Sequence, residues 1–524
     1  MERNQPISTD VTTSRVTSRR NQLLFTKLLD SISAATPLQI LPSKIKGAGT
    51  GLFTTKDVEN GEEIFRSCPV VNCVMDGMQK LVCDNCYAYQ DSKVIPSGRF
   101  RKAGEPKLEM KACKGCSVCY YCSKTCQRKA WKRYHKHECT IFSETPNMPA
   151  RTRALYRLLN MDKLQLLSRE TWSGLYGLQP HIKEHLTSTN CVAILGARKS
   201  ARDRTGTDRT SDEVLTLYCT VLTNCLSIYQ AEGKMLGTSL DIITSLVNHS
   251  CDPNAFVVFE GNSLCVRSMR KLSAGEEITQ CYTDVDTNVL LRQEMLKSEY
   301  FFDCCCERCE KQMKTQEQRF PGMIEQIQQS QQQLIDLTNE AVHLNDISSL
   351  EIEAQDIAKH VFPGGHWPRD LQPWPAMRIL FAQELRARGR LMEAMKQGII
   401  GYLFFEPRTG DTWIRHLLDL TQFISRVLVG SDWKTPRGGP GFLTESQLWD
   451  VLHGYLHELS LCAIKTFGAR SEYAQAIQAW YSDCMKCADA PLPGTRAFAQ
   501  KFETTQSRLL LWAGVDEGRG IALG

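Results

Sequence analysis

The sequence predicts an α+β protein in which a β-rich unit is split by a cysteine-rich module and a helical insertion, and is followed by an all-α C-terminal domain. Three observations carry this prediction. Short apolar pieces punctuated by Gly, Pro, Asn and Asp occur twice, in residues 40–74 and again in 236–282, the pattern of strands joined by tight turns. Ten of the 23 cysteines crowd into Cys68–Cys139. Beyond Gln312 the apolar residues recur at helical spacing. A length of 524 residues allows roughly three to four folding units.

In chain order, residues 1–36 are rich in Ser, Thr and Arg and read as a mobile or loosely docked arm. Residues 37–82 hold KIKGAGTGLFTT, a turn at Glu59-Asn60-Gly61 and EEIFRSCPVVNCVM, a first β segment. The cysteine module covers 83–139. A helical insertion at 140–236 is marked by Leu155, Leu158, Leu159 and Met161, then Leu164, Leu166 and Leu167. Strands at Leu236–Val247, Ala255–Glu260, Ser263–Arg267 and Ile278–Tyr282 resume the β unit over 237–284. A second cysteine-bearing segment occupies 285–312. The helical domain spans 313–524, with Ile324, Ile327, Leu334, Leu337, Leu385, Leu391, Met395, Ile399, Leu417, Leu420, Phe423, Ile424 and Val427 on its apolar faces, and a loop at Gly430–Gly441. The glutamine-rich run 328–333 reads as a solvated helix face.

Composition narrows the function. Lys plus Arg number 63 against 58 Asp plus Glu, a net charge of +5, which is too small and too dispersed for binding nucleic acid by charge alone. No run approaches eighteen apolar residues, and the N-terminus is polar where an export signal needs an apolar stretch, so an intracellular protein with no membrane partner is expected. Cysteines in such a protein are thiols or metal ligands rather than disulfides.

Their spacing points to metal. Cys83-x2-Cys86, Cys113-x2-Cys116, Cys122-x3-Cys126 and His135-x3-Cys139 are four successive ligand pairs. Tetrahedral zinc takes four N or S ligands, and a pair two or three residues apart lets one knuckle or turn supply two of them, so eight ligands mean two ions. His135 is preferred to His137 because i and i+4 share a helix face. Cys119 lies between two pairs with no assigned role. A module this small needs the metal for its fold. Farther on, Cys304, Cys306 and Cys309 supply three ligands, with Cys251 as the expected fourth and Cys305 outside the set. Cys484-x2-Cys487 stands alone in a helical stretch and reads as ordinary helix cysteines.

The order CDNC, CKGC, YCSKTCQRKAW, HKHEC, with Gln127 and Trp131 after the third pair, resembles the MYND zinc module. That resemblance implies that Cys83, Cys86, Cys122 and Cys126 share one ion and Cys113, Cys116, His135 and Cys139 the other. GAGTGLF, NHSC at 248–251 and GEEIT-x2-Y at 275–282 resemble the SET domain of protein lysine methyltransferases. A MYND module inside a split SET domain, followed by a helical domain, resembles the SMYD family, which implies a TPR-like C-terminal fold, S-adenosyl-L-methionine as cofactor and three zinc ions. Tyr282 matches the family's active-site tyrosine; the competing reading is a core tyrosine on a strand. Asn248 and His249 match cofactor-binding positions, as does Phe302, although Tyr300 and Phe301 are equally aromatic. Asn224 matches a cofactor-facing asparagine in weak surrounding text, with ordinary helix packing as the alternative. Gly49 and Gly51 would let the backbone approach the cofactor. Ala48 and Thr50 depart from the basic or polar residues often found there, which affects a contact to the cofactor carboxylate. The third zinc would fold the segment carrying Phe302, linking metal to activity.

The expected activity is methyl transfer to a histone or non-histone lysine, by a monomer of the nucleus and cytoplasm. The competing reading is a non-catalytic adaptor, with a vestigial SET fold and a proline-rich peptide bound at the MYND module.

Overall fold

The computed structural model describes residues 25–27, 29, 37–95, 99–102, 104–283, 287–343, 349–404, 408, 410–430, 442–487 and 490–523. Most of the arm 1–36 and nearly all of the loop Gly430–Gly441 lie outside these. The chain forms two compact units, residues 1–93 with 102–280, and residues 94–101 with 281–524.

The first unit rejoins the split β text. Strand Val71–Val74 pairs antiparallel with Met235–Leu240, matching Val71 to Leu240 and Val74 to Gly237, and Leu226–Tyr229 completes that sheet. Glu63–Ser67 likewise pairs with Ser263–Ser268, whose other neighbour is Ala255–Glu260. The last two strands form a hairpin with Gly261-Asn262 at its tip, and Gly261 takes the left-handed φ of 65° that such a turn needs. A third ribbon pairs Leu38–Pro42 with Thr50–Thr54.

Between the β segments stand helices Ala150–Lys163, Arg169–Gly177, Ile182–Thr187, Cys191–Thr205 and Ser211–Asn224. The last opens on a capping box, Thr210 accepting from the Glu213 amide and Glu213 from the Thr210 amide, the reciprocal arrangement that satisfies two free N–H groups. Leu155, Leu158, Leu159 and Met161 are buried as their spacing requires. Leu164 and Leu166 are exposed, because the helix stops at Lys163 and the chain leaves the core. The arm is docked where it is described: Phe25 and Leu29 are buried, and the Phe25 ring lies against Gly177.

The second unit is helical apart from the short antiparallel pair Val94–Ile95 and Arg99–Phe100, residues that fall in sequence between the first two ligand pairs. Phe100 meets Trp480 edge-on at 5.6 Å. Helices Trp374–Ala387, Leu391–Tyr402, Gly410–Val429, Glu445–Phe467 and Glu472–Cys484 each pack on the next in sequence, and Arg496–Ala513 returns against Glu445–Phe467. Leu417, Leu420, Phe423, Ile424 and Val427 are all buried on one stripe. The glutamine run is not wholly solvated: Gln331 is buried, and its amide nitrogen donates to the Gln372 carbonyl at 2.8 Å, so a polar partner rather than water takes that donor. Among the described residues no helix is long and apolar enough to cross a membrane.

Packing in the second unit is tight enough to test. A Cβ on Gly454 would lie 2.0 Å from Cδ2 of the buried Phe502 ring. Gly454→Ala is therefore expected to destabilise by about 1–3 kcal/mol, as overpacking does. Denaturant unfolding followed by tryptophan fluorescence checks this, and an unchanged midpoint refutes it.

Candidate active site and zinc centres

The ligand pairs fold into two four-ligand groups. Cys83, Cys86, Cys122 and Cys126 bring their Sγ atoms together, with Cys86 to Cys122 at 3.6 Å and Cys122 to Cys126 at 3.5 Å. Cys113, Cys116, His135 and Cys139 form the other group, with Cys113 to Cys139 at 3.7 Å and His135 Nε2 at 3.3 and 3.6 Å from the Cys113 and Cys116 sulfurs. A tetrahedron with Zn–S bonds of about 2.3 Å has edges of about 3.8 Å, so both groups match zinc in donor type and size.

Local structure explains the delivery of each ligand. The antiparallel pair Lys111–Ala112 and Tyr120–Tyr121 presents Cys113 and Cys122 just beyond its ends. Ser123 caps helix Lys124–Arg133 by accepting from the Cys126 amide, which places Cys126 in the first turn. His135 is buried and His137 exposed. The helical i, i+4 argument nevertheless misses how this happens. His135–His137 is one 3-10 turn and Cys139 opens a separate helix, Cys139–Glu144. Cys119 is buried beside the second group but outside its four ligands.

Three charged neighbours escaped the sequence reading. Glu138, fully buried, faces His135 Nδ1 at 3.4 Å. Arg157 donates to both Glu138 oxygens, at 2.6 and 2.9 Å, and to Asp84 at 3.1 Å. Burial pushes the Glu138 carboxyl up, but Arg157 and His135 outweigh it and hold the group below the usual carboxylate range.

The glycine, NHSC and GEEIT segments converge in the first unit. Asn248–His249 pairs parallel with Thr279–Gln280, and the Ser250 amide donates to the Gln280 carbonyl at 2.8 Å. Ile278 donates to the Leu52 carbonyl at 2.8 Å, and Gly275 to Thr54 at 2.7 Å. At the crossing sits the buried Glu277 carboxylate. Oε1 accepts from the Ser43 hydroxyl at 2.7 Å and from Asn248 Nδ2 at 2.9 Å, and Oε2 accepts from the Lys44 amide at 2.8 Å. Asn248 Nδ2 also donates to the Thr50 carbonyl at 3.0 Å. Asn254 locks the same segment, receiving from the Thr279 amide and donating to the Glu277 carbonyl, both at 2.8 Å. Gly51 is required here because a Cβ would lie 2.3 Å from Glu277 Oε1, whereas Gly49 is required by its φ of 73°. Glu277 and Asn254 were not singled out in sequence, although Glu277 lies inside the GEEIT motif and Asn254 three residues past NHSC. His249 Nε2 lies 3.1 Å from Cys251 Sγ. Asn224 ends its helix with its amide on the Gln179 and Thr220 carbonyls, at 2.9 and 3.0 Å.

In the second unit, Tyr282 follows the strand rather than lying on it and stacks on Tyr300 with ring centroids 4.8 Å apart. Burial, with the neighbouring Tyr300 phenol, raises the Tyr282 hydroxyl pKa. Phe301 takes a left-handed φ of 63° at the end of helix Val289–Tyr300 and turns the chain through Phe302 toward the cysteines. The ligand atoms of Cys304, Cys306 and Cys309 lie within 4.8 Å of one another. Gln293 pins the Cys304 backbone by donating to its carbonyl at 2.5 Å and accepting from its amide at 3.0 Å, and Arg292 donates to Cys309 Sγ at 3.6 Å. Cys305 is exposed, and Cys484 and Cys487 join no metal group among the described residues.

The SET domain family model matches residues 49–283, the span that holds the threaded strands and the cysteine-rich insert. The chain is 32% identical to mouse histone-lysine N-methyltransferase SMYD3 over 277 residues, 51% of this chain and 60% of that one. It is 27% identical to Arabidopsis thaliana histone-lysine N-methyltransferase ASHR1, over 51% and 54% of the two chains. It is 28% identical to SET domain and MYND-type zinc finger protein 6 of Schizosaccharomyces pombe, over 41% and 43%. The chain thus spans three fifths or less of the length of these relatives. Over about half of its length it is similar to SET- and MYND-type proteins, SMYD3 among them.

The crossing is expected to depend on Glu277. Glu277→Ala removes the acceptor of three donors, each costing about 1–3 kcal/mol when left unmatched, and should lower stability by about 3 kcal/mol or more. Calorimetric unfolding of the variant is the check, and a change under about 1 kcal/mol contradicts the assignment.

Proposed function

We propose that the protein is an S-adenosyl-L-methionine-dependent protein-lysine N-methyltransferase. The observation that carries this reading is the threading of residues 49–54, 248–254 and 275–280 around Glu277. Relatives named as lysine methyltransferases match over about half of the chain.

The cofactor supplies an electrophilic methyl group on a sulfonium. Gly49, Gly51, Asn248 and His249 would form its cradle, with Asn224 and Phe302 as further contacts. Asn248 acts there through its free carbonyl oxygen or backbone, because its amide nitrogen already serves Thr50 and Glu277. The lysine must arrive neutral, which a free side chain with a pKa of about 10.4 is in only about one molecule in 2500 at pH 7. An apolar aromatic environment lowers that pKa by desolvation. Tyr282, its hydroxyl protonated at neutral pH, would orient the amine toward the methyl group and hold the reacting atoms in line. Cys304, Cys306 and Cys309 hold a third zinc in this reading; tetrahedral coordination requires one more ligand, and the sequence offers Cys251. The substrate is a lysine of a histone or non-histone protein, met in the nucleus or cytoplasm.

One observation favours the adaptor as a second reading. Trp131 stays 42% exposed although its ring lies 5.9 Å from that of His135, leaving an aromatic face on the MYND module for a proline-rich peptide.

Calorimetry on the zinc-replete protein should detect S-adenosyl-L-methionine binding in the micromolar range. Tyr282→Phe should keep that affinity within about threefold and lower kcat by about 10²-fold or more, the range lost with one transition-state contact. A folded wild type that binds no cofactor overturns the enzyme reading and turns the search to proline-rich partners. Asn248→Ala is a poor probe because it also breaks the crossing.

A further inference from the structure

The second MYND group is supported from outside the module. His135 presents Nε2 to the Cys113 and Cys116 sulfurs, and its other nitrogen, Nδ1, faces Glu138 Oε1 at 3.4 Å. Glu138 lies on the far side of the ring from the ligand cluster and so is the partner of the ligand rather than a ligand. A carboxylate in that position accepts Nδ1–H, which fixes the tautomer that leaves Nε2 free for the metal and sets the ring's orientation.

What aims Glu138 is Arg157. Its Nε and Nη2 donate to both carboxylate oxygens, at 2.9 and 2.6 Å, in the planar fork that a guanidinium makes with a carboxylate. The same guanidinium donates to Asp84, in the knuckle between Cys83 and Cys86, at 3.1 Å and to the Asn72 carbonyl of strand Val71–Val74 at 2.6 Å. It lies 3.9 Å from the centroid of the Tyr134 ring, next to His135. Arg157, Glu138 and Asp84 are each at most 3% exposed. Yet Arg157 belongs to helix Ala150–Lys163, beyond the module's last ligand, Cys139, in sequence. Its neighbour one turn back, Arg153, donates to the Val74 carbonyl at 2.5 Å, so the helix grips the same strand twice.

We infer that Arg157 and Glu138 are positioning residues for the Cys113, Cys116, His135, Cys139 zinc, so that retention of this ion depends on the helix that follows the module. The inference rests on the zinc reading of that group. Arg157 acts through Glu138, Glu138 acts through His135, and the link to the other four-ligand group runs through Asp84, which is not one of its four ligands.

The test uses the full-length protein with Glu138→Gln, Arg157→Lys and the double variant. Zinc content by atomic emission, release to a chromogenic chelator and the d–d spectrum after cobalt substitution are the readouts. Glu138→Gln keeps the shape of the side chain, so it separates orientation from folding should the arginine variant fold poorly. One ion per chain is expected to leave about 10–100-fold faster in each single variant, the usual cost of losing an outer-shell partner. Its cobalt spectrum should be that of a site with three sulfurs and one nitrogen, and the other ions should leave at the wild-type rate. The double variant should release no faster than Glu138→Gln. Unchanged release, or equal acceleration of all ions, overturns the inference, because a purely structural role does not select one ion. A wild type that retains no such zinc overturns the zinc reading itself, and the inference with it.

Discussion

One buried carboxylate constrains the first compact unit of this chain. Glu277 stands where three segments meet, one of them more than 200 residues away in sequence, and its two oxygens collect donors from Ser43, Lys44 and Asn248. An unpaired buried carboxylate is costly, so the three partners have to arrive together or the crossing does not form. Gly51 follows from this requirement, since any side chain there would occupy the space of the carboxylate. The parallel pairing of Asn248–His249 with Thr279–Gln280 follows as well, because Asn248 and Asn254 hold the strand bearing Glu277 from both ends. The crossing is positioned by a polar knot rather than by apolar packing alone.

That dependence makes folding a long-range problem. Strand Val71–Val74 finds Met235–Leu240 only after the module and the insertion have been accommodated, and each non-local pairing costs loop-closure entropy before it is rewarded. Zinc shortens the problem. Each ion ties two distant pairs into one node, so the module can be ordered without a large core of its own. Arg157 and Arg153 then join that ordered module and the helix after it to the strand on which the sheet will close.

What was legible in sequence follows from how local each signal is. Metal ligands come as close pairs, so Cys83-x2-Cys86 or Cys113-x2-Cys116 is visible without a structure. Strand pieces are equally visible where turns bound them: Ala255–Glu260 and Ser263–Ser268 differ by at most one residue from the reading. The C-terminal stripe Leu417, Leu420, Phe423, Ile424 shows itself through spacing alone. Periodicity fails where a helix ends early, as at Leu164 and Leu166, since Gln165 takes a left-handed φ of 55° and turns the chain away from the helix axis. It also fails for Gln331, whose partner is a carbonyl 41 residues away.

The charged residues that matter most were invisible for a different reason. Hydrophobic periodicity treats Arg and Glu as solvent-facing, which is right for most of the 63 basic and 58 acidic residues here and wrong for Arg157, Glu138 and Glu277. No property of one such residue separates it from its exposed neighbours; only the partner does, and the partner lies 19 residues off for Arg157 and 29 for the Asn248 bond to Glu277. Energetically these are also the least forgiving positions. Removing one member of a buried ion pair costs about 3–5 kcal/mol, whereas replacing the whole group by apolar residues of equal volume can be neutral. An apolar trio would satisfy the packing between the helix and the module, but it would offer nothing to His135 Nδ1 and nothing to the Asn72 carbonyl. A requirement for charge at these positions is therefore a requirement of the zinc ligand and the strand end, which is why the chemistry of the site, and not the helix propensity of Ala150–Lys163, accounts for an arginine in its core.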